Sequence, residues 1–177
     1  MNENIIQLPL IRQYHDTADK NWAPKTCALS SLEMVLEYLK FPKSSVMELV
    51  NEAVALDGYI PNVGWKHKII VELAKRRGLA MDFVVQFPQT LEEKRKYTGL
   101  ICARIKAGLP VLSSVYSQLD KNNGGHMVVI NGIRHEGDAV AGFFIQDPNE
   151  YKGKHNYFLG LDEFLDNWRG GLIYPKI

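Results

Sequence analysis

The pattern of hydrophobic and polar positions divides the chain into a helical first half and a strand-rich second half. After Thr26, apolar residues recur at helical spacing, at Ala28, Leu29, Leu32, Val35, Leu36 and Leu39. Pro24 cannot continue a helix backwards and Thr26 can cap one, so this helix is predicted to begin near Cys27. Its apolar face would be buried in the centre of the domain.

Further helices are predicted in the first half from their apolar spacing. They run from Ser44 or Ser45 to about Val54, from Trp65 to Arg77 and from Leu100 to Lys106. Ser45 with Glu48 fits a capping box. Gly78 and Gly108 are suited to end the second and third of these helices. Residues 91–96 form a charged stretch that is expected to be solvated.

Apolar runs in the second half predict strands. The longer runs are residues 110–116, 127–133 and 142–147, and the shorter ones are residues 157–159 and 172–174. Between the shorter runs, Leu161 to Trp168 is predicted to be a short helix that Gly170 and Gly171 end. Helices followed by strands indicate an α+β fold, with the N-terminal helices packed on a C-terminal antiparallel sheet.

The composition is that of an ordinary globular protein and argues against several classes of function. The chain has 177 residues and no linker or repeat that would divide it, so residues 1–177 are predicted to form one domain. A formal net charge of +1 gives no general attraction to nucleic acid or to an anionic membrane. Phosphate-loop and dinucleotide motifs are absent and the histidines show no metal-ligand spacing, so no cofactor or metal is expected.

The N-terminus and the hydropathy bear on the location of the protein. No apolar run reaches the length of a membrane span. The first ten residues lack a basic segment followed by an apolar stretch, so they do not resemble a secretory signal. We therefore expect a cytoplasmic protein, or a secreted one if the chain is a trimmed mature domain. No heptad pattern or unused apolar face indicates an oligomeric state.

Cys27, at the predicted start of the first helix, is the strongest candidate for a reactive residue. The thiolate is the nucleophilic form of cysteine, and the positive end of a helix dipole favours the thiolate over the thiol. The other cysteine, Cys102, lies in an apolar stretch and is expected to be buried. The two could form a disulfide, which would abolish the nucleophile. Cys27 could also be a small buried hydrophobic residue, as most free cysteines are.

Two downstream residues could supply the base that a cysteine nucleophile needs. His126 follows two glycines and is predicted to be the first residue of a strand, at the sheet edge, where a substrate can reach it. Asp147 ends the next predicted strand. If the two strands are neighbours, Asp147 can accept a hydrogen bond from His126 and fix its tautomer. The plainer alternatives are a histidine bonded to water and an aspartate that only makes a turn with Pro148 and Asn149.

A glutamine near the N-terminus could complete such a site. Gln13 lies in an extended segment before the first helix, and the loop of residues 14–25 could fold it back towards Cys27. An amide N–H can donate to the oxyanion that forms when a thiolate attacks a carbonyl group. The alternative is an exposed glutamine without a role.

Five segments, in order, match motifs of one known family. They are residues 8–13 (Leu-Pro-x-x-x-Gln), 27–36 (Cys-x-x-x-Ser-Leu-x-Met-Val-Leu), 107–111 (Ala-Gly-x-Pro-Val), 125–132 (Gly-His-x-Val-Val-x-x-Gly) and 144–149 (with Asp-Pro at its centre). The ordered set resembles the papain-like cysteine peptidases of the C39-like type. This family includes the bacteriocin leader-processing peptidases and their stand-alone relatives.

The resemblance implies a papain-like fold and four roles: nucleophile for Cys27, general base for His126, orienting acid for Asp147 and oxyanion donor for Gln13. The chain departs from the family at Ala28 and Leu29, where Gly-Pro is usual. Alanine and leucine are good helix formers, so the helix should still form. The difference concerns the shape of the acyl-binding cleft and therefore the substrate preference.

The activity that these residues predict is hydrolysis of a peptide or amide bond through a thioester intermediate. An acyl- or peptidyl-transferase would form the same thioester and pass the acyl group to an amine or a thiol. A catalytically inactive module that binds a peptide is the third possibility. The complete set of four residues argues against this last function, because a pure binder does not need all of them.

Overall fold

The computed structural model describes residues 2–87 and 90–176. The helices are α1 Cys27–Tyr38, α2 Val46–Ala55, α3 His67–Arg76, α4 Leu91–Arg95, α5 Thr98–Lys106 and α6 Leu161–Asn167. The strands are β1 Asn2–Ile5, β2 Tyr59–Ile60, β3 Gly64–Trp65, β4 Met81–Val85, β5 Val111–Tyr116, β6 Gly125–Glu136, β7 Ala139–Tyr151, β8 Lys154–Gly160 and β9 Trp168–Pro175.

The strands form one large antiparallel sheet and one hairpin. The sheet has the order β4-β9-β5-β6-β7-β8, and β1 pairs with β6. The hairpin consists of β2 and β3. Helices pack on this sheet, so the predicted α+β fold is confirmed. None of the helices within residues 2–87 and 90–176 is long and apolar enough to cross a membrane.

The two faces of the sheet carry different helices. Met127 and Val129 of β6 point into a core shared with α1, α2 and α3. Val128 and Ile130, the alternate residues of the same strand, point into a second core shared with α5 and α6. This alternation follows from the two-residue period of a strand. The two cores explain why residues 127–130 of β6 are all apolar, as expected for a strand segment buried on both faces.

Helix α1 is the most deeply buried helix and positions the site. Leu29, Leu32 and Leu36 have no exposed surface. The helix begins at Cys27 and packs against β6, which places its N-terminus near the start of that strand. The prediction of a buried helix that begins near Cys27 is confirmed.

Local signals also predicted the second helix correctly. In α2, Ser45 accepts a hydrogen bond from the backbone N–H of Glu48, and the Glu48 side chain accepts one from the backbone N–H of Ser45. This is the predicted capping box. The charged stretch at residues 91–96, in contrast, contains the short helix α4, which a second capping box between Thr90 and Glu93 begins.

Two predicted helix boundaries are wrong. Helix α3 begins at His67, because Trp65 belongs to the β2–β3 hairpin and pairs with Tyr59. The indole of Trp65 also donates a hydrogen bond of 2.6 Å to the carbonyl oxygen of Lys25. Helix α6 ends at Asn167, and the glycines that were expected to end it lie inside β9. In both places, tertiary pairing overrides the local pattern.

A cavity in α1 should destabilise the fold strongly. Leu32→Ala removes a fully buried side chain from the core between α1 and the sheet, and we expect the free energy of unfolding to fall by about 2–5 kcal/mol. Val54→Ala, at an exposed position on α2, is the control and should change it by less than about 0.5 kcal/mol. Urea unfolding measures both. Equally small losses would show that α1 is not part of the central core.

Candidate active site

Cys27 is the first residue of α1 and follows a 3₁₀ turn at Ala23–Lys25. Thr26 occupies the N-cap position as predicted, but its hydroxyl donates to the carbonyl oxygen of Ala23 and does not cap the helix. The N–H groups of the first helical turn have no acceptor within the helix, so they favour negative charge at this end. Cys27 is partly exposed and is not joined to Cys102, which is buried.

His126 lies across from Cys27, at the start of β6. The predicted position at the sheet edge is wrong, because β6 lies between β5 and β7 in the interior of the sheet. The ring is nevertheless close to the surface, because His126 is only the second residue of the strand and pairs with Val115 near the end of β5. His126 is 8% exposed.

The His126 ring joins Cys27 to Asp147. Its Nε2 atom lies 2.6 Å from Oδ1 of Asp147. The ring also makes a hydrogen bond to the Cys27 side chain. Because Nε2 faces Asp147, the ring nitrogen that faces Cys27 is Nδ1. β6 and β7 are neighbours in the sheet, as the sequence analysis required. The structure therefore brings these three residues into one hydrogen-bonded chain.

Asp147 is buried and holds several hydrogen bonds. Oδ1 also accepts from the backbone N–H of Asn149 at 2.8 Å, and Oδ2 accepts from the Tyr157 hydroxyl at 2.8 Å. Strand β7 does not end at Asp147 but continues to Tyr151 after a register shift beyond Gln146. Regular pairing of β7 with both neighbouring strands thus ends at Gln146, directly before the residue whose carboxylate bonds His126.

Tyr157 is a site residue that the sequence analysis missed. It lies on β8 and pairs with Ile145, two residues before Asp147. Burial raises the pKa of Tyr157, and the negative charge of Asp147 raises it further, so the hydroxyl stays protonated and donates to the carboxylate. The apolar runs predicted strands at residues 142–147 and 157–159, but the sequence did not show which residues of the two strands pair.

The electrostatics of the site favour a thiolate and an imidazolium. Burial raises the pKa of Cys27, but the hydrogen bond and charge of His126 and the backbone N–H groups of Met127 and Ala28 lower it below its usual value. Burial lowers the pKa of His126, but hydrogen bonds to Asp147 and Cys27 raise it to about 10. Between these two pKa values, Cys27 is deprotonated and His126 is protonated.

Gln13 is buried beside this chain, at 2% exposure, which excludes the exposed-glutamine alternative. Its backbone N–H donates to the carbonyl oxygen of Pro148 at 2.9 Å, and its Nε2 donates to that of Ala23 at 3.3 Å. These bonds fix Gln13 between the segment that follows Asp147 and the turn that precedes Cys27. Gln13 does not line the cleft described next.

A cleft of about 330 Å³ opens onto Cys27 and His126. One part of its wall is apolar and comes from the β2–β3 hairpin, the end of β4 and the segment after it, with Tyr59, Val63, Trp65, Val85 and Phe87. The other part is polar and comes from α3, β5 and β9, with His67, Ser114 and Arg169. A concave site of this kind is suited to an extended chain with both apolar and polar groups.

Several solved structures with a similar fold are described as peptidases or proteases. A Bacillus anthracis protein described as a C39-like peptidase has 19% sequence identity and a TM-score of 0.67, over 100% of this chain and 98% of that one. A double glycine motif protease from an AMS/PCAT transporter, solved in complex with the leader peptide, has 17% identity and a TM-score of 0.59, over 98% and 95%. The peptidase domain of Streptococcus ComA, a bifunctional ABC transporter, has 18% identity and a TM-score of 0.59, over 96% and 97%.

These similarities define the fold as papain-like, the fold of a large class of cysteine peptidases. The sequence model of the Peptidase_C39 like family matches residues 5–170. The chain therefore belongs to the Peptidase_C39 like family, and this membership together with the fold supports a function like that of a cysteine peptidase. No curated protein sequence matches the chain significantly.

The pKa values of the two cysteines predict different reactivity. The Cys27 pKa is lowered, whereas burial raises that of Cys102. We expect iodoacetamide to label Cys27 at least about tenfold faster than Cys102 at neutral pH. The rate of Cys27 labelling should decrease only when the pH drops through the lowered pKa of the Cys27 thiol. In His126→Ala this pKa should be higher, so the rate should decrease at a higher pH. Mass spectrometry of the labelled peptides measures both rates; equal, slow labelling would contradict an activated thiol.

Proposed function

We propose that this protein is a cysteine peptidase that cleaves a peptide bond through a thioester intermediate. The observation that carries the proposal is the hydrogen-bonded chain from Cys27 through His126 to Asp147, at the end of a cleft. A nucleophile, a base and a group that orients the base are the parts that covalent catalysis of acyl transfer requires.

The first half of the reaction forms the thioester. The Cys27 thiolate attacks the carbonyl carbon of the substrate, and the carbonyl oxygen takes up the negative charge. The imidazolium of His126 then gives its proton to the leaving amine as the carbon–nitrogen bond breaks. The acyl part of the substrate remains on the Cys27 sulfur, and His126 is left neutral.

The second half releases the acyl group. Neutral His126 takes a proton from a water molecule, which attacks the thioester carbonyl. The carbon–sulfur bond breaks, the product leaves as a carboxylic acid and Cys27 returns as a thiolate beside a protonated His126. Asp147 holds the ring through both halves, since its hydrogen bond to Nε2 leaves Nδ1 facing the sulfur.

Two donors are available for the oxyanion. The backbone N–H of Cys27 is at the first position of α1 and has no acceptor within the helix. The Gln13 amide has two N–H bonds, of which the contact with Ala23 uses one, so the second can donate. We assign Gln13 this role because the family resemblance implies it and because its bonds to Ala23 and Pro148 hold it between the turn before Cys27 and the segment after Asp147.

The substrate proposed here is a peptide. The double glycine motif protease with the same fold was solved in complex with a leader peptide. In this chain, the cleft is open and has apolar and polar walls, as binding of an extended peptide requires. Ala28, which lies beside the nucleophile where the family usually has glycine, also lines the cleft and narrows the space next to the thiolate.

Removal of the nucleophile should abolish hydrolysis. We expect Cys27→Ala to lower kcat/KM for any cleaved peptide by at least about 10³-fold, because no thioester can form. Cys102→Ala is the matched control and should retain most of the activity, since Cys102 lies in the second core, away from the cleft. Peptide turnover followed by mass spectrometry measures both. Full turnover by Cys27→Ala would remove Cys27 as the nucleophile.

The charge of Asp147 should set the alkaline limit of activity. The pKa of His126 is about 10 partly because of its bond to Asp147, so Asp147→Asn should lower that pKa. The imidazolium would then be lost at lower pH, and the alkaline limb of the kcat/KM profile should move towards neutral pH. We also expect kcat to fall by about 10²- to 10⁴-fold, because the ring is no longer held in the productive tautomer. An unchanged alkaline limb would contradict this role.

A further inference from the structure

Arg169 is an exposed cation in the polar wall of the cleft. None of the salt bridges within residues 2–87 and 90–176 includes it. Its guanidinium carbon lies 5.5 Å from the centre of the Tyr116 ring, on which it rests. The cleft therefore contains a guanidinium group whose positive charge no carboxylate of the described chain neutralises.

The guanidinium lies beside Gly125, in the same cleft that His126 lines. It occupies the space beside Gly125, so that a methyl group at that position would collide with Nη1 of Arg169. Gly125 directly precedes His126 in β6. A substrate group that reaches Arg169 would therefore lie close to the scissile bond and not at a distant part of the surface.

The backbone of β9 fixes this position. Trp168 is buried and its indole donates a hydrogen bond of 3.0 Å to the carbonyl oxygen of Gly171. Gly170 lies between them and has a backbone φ of +88°, a conformation that residues other than glycine rarely adopt. The β5–β9 register shifts at the same place. The Gly-Gly pair thus forms a kink that anchors Arg169 at the cleft.

The neighbours of Arg169 complete a small polar subsite. A Cβ on Gly171 would lie 2.5 Å from Cε1 of His67 and 3.0 Å from Cβ of Ser114, so both side chains pack against this glycine. Burial lowers the pKa of His67, and the charge of Arg169 lowers it further, so the neutral form of His67 is favoured beside the cation. Its Nδ1 atom has no hydrogen-bond partner among the described residues.

We propose that Arg169 determines specificity by binding a carboxylate of the substrate, with His67 and Ser114 beside it. The inference rests on the proposed peptidase function and names a substrate class for the same site. A guanidinium binds a carboxylate through two parallel N–H···O bonds, and these bonds are stronger in a cleft than in open water. The carboxylate is either an acidic side chain or the C-terminus of the peptide.

Matched peptides distinguish these two sources. One pair differs only in Glu against Gln at each position near the cut, and the other only in a free or amidated C-terminus. For each pair, kcat/KM of the charged peptide is divided by kcat/KM of the neutral peptide. We expect Arg169→Gln to lower this ratio for one pair by about tenfold or more. The pair that responds identifies the source. Arg76→Gln, on the outer surface of α3, is the control and should leave both ratios unchanged. If neither ratio responds to Arg169→Gln, the proposal is wrong.

A second measurement does not depend on peptidase activity. Iodoacetate and iodoacetamide alkylate the same thiol but differ in charge. The rate of Cys27 alkylation by iodoacetate is divided by the rate with iodoacetamide. Because Arg169 attracts an anion to the cleft, we expect Arg169→Gln to lower this ratio by about threefold. Arg169→Glu should lower it more. A ratio that does not change overturns the inference, whereas a changed ratio without cleavage of any peptide would count against the proposed function alone.

Discussion

The contact between the Cys27 side chain and the His126 ring joins the first residue of α1 to the second residue of β6. Neither partner has much exposed surface, so each charge would be costly alone and is stabilised by the other. The contact therefore requires that the N-terminus of α1 lie against the start of β6. The fully buried leucines of α1, packed on the sheet, provide this constraint.

Further hydrogen bonds hold the His126 ring in the orientation that this contact requires. Asp147 orients the His126 ring, and Asn149 and Tyr157 orient Asp147 in turn. Asp147 and Asn149 come from the irregular end of β7 and Tyr157 comes from β8, the two strands that follow β6 in the sheet. The strand order therefore brings these residues together, and the kink in β9 places the cation Arg169 in the same cleft.

The parts of the structure that could be predicted depend on neighbours in sequence. The start of α1 at Cys27, the capping box of Ser45 and the central strands all follow from local spacing. The β2–β3 hairpin was missed because Trp65 finds its partners, Tyr59 and the carbonyl of Lys25, across a loop. Tyr157 and Arg169 were missed for the same reason: their positions depend on strand register and on a glycine kink.

The central claim is that His126 lowers the pKa of Cys27, so that the two form a thiolate–imidazolium pair below the pH at which an ordinary cysteine ionises. The most direct test is the ultraviolet absorbance of the thiolate, measured against pH for the protein and for its Cys27→Ala variant. The account predicts a difference signal that is already present below the pH at which an ordinary cysteine ionises, and that disappears only as the pH falls through the lowered pKa of Cys27. A signal that develops only in the alkaline range of an ordinary cysteine would contradict it.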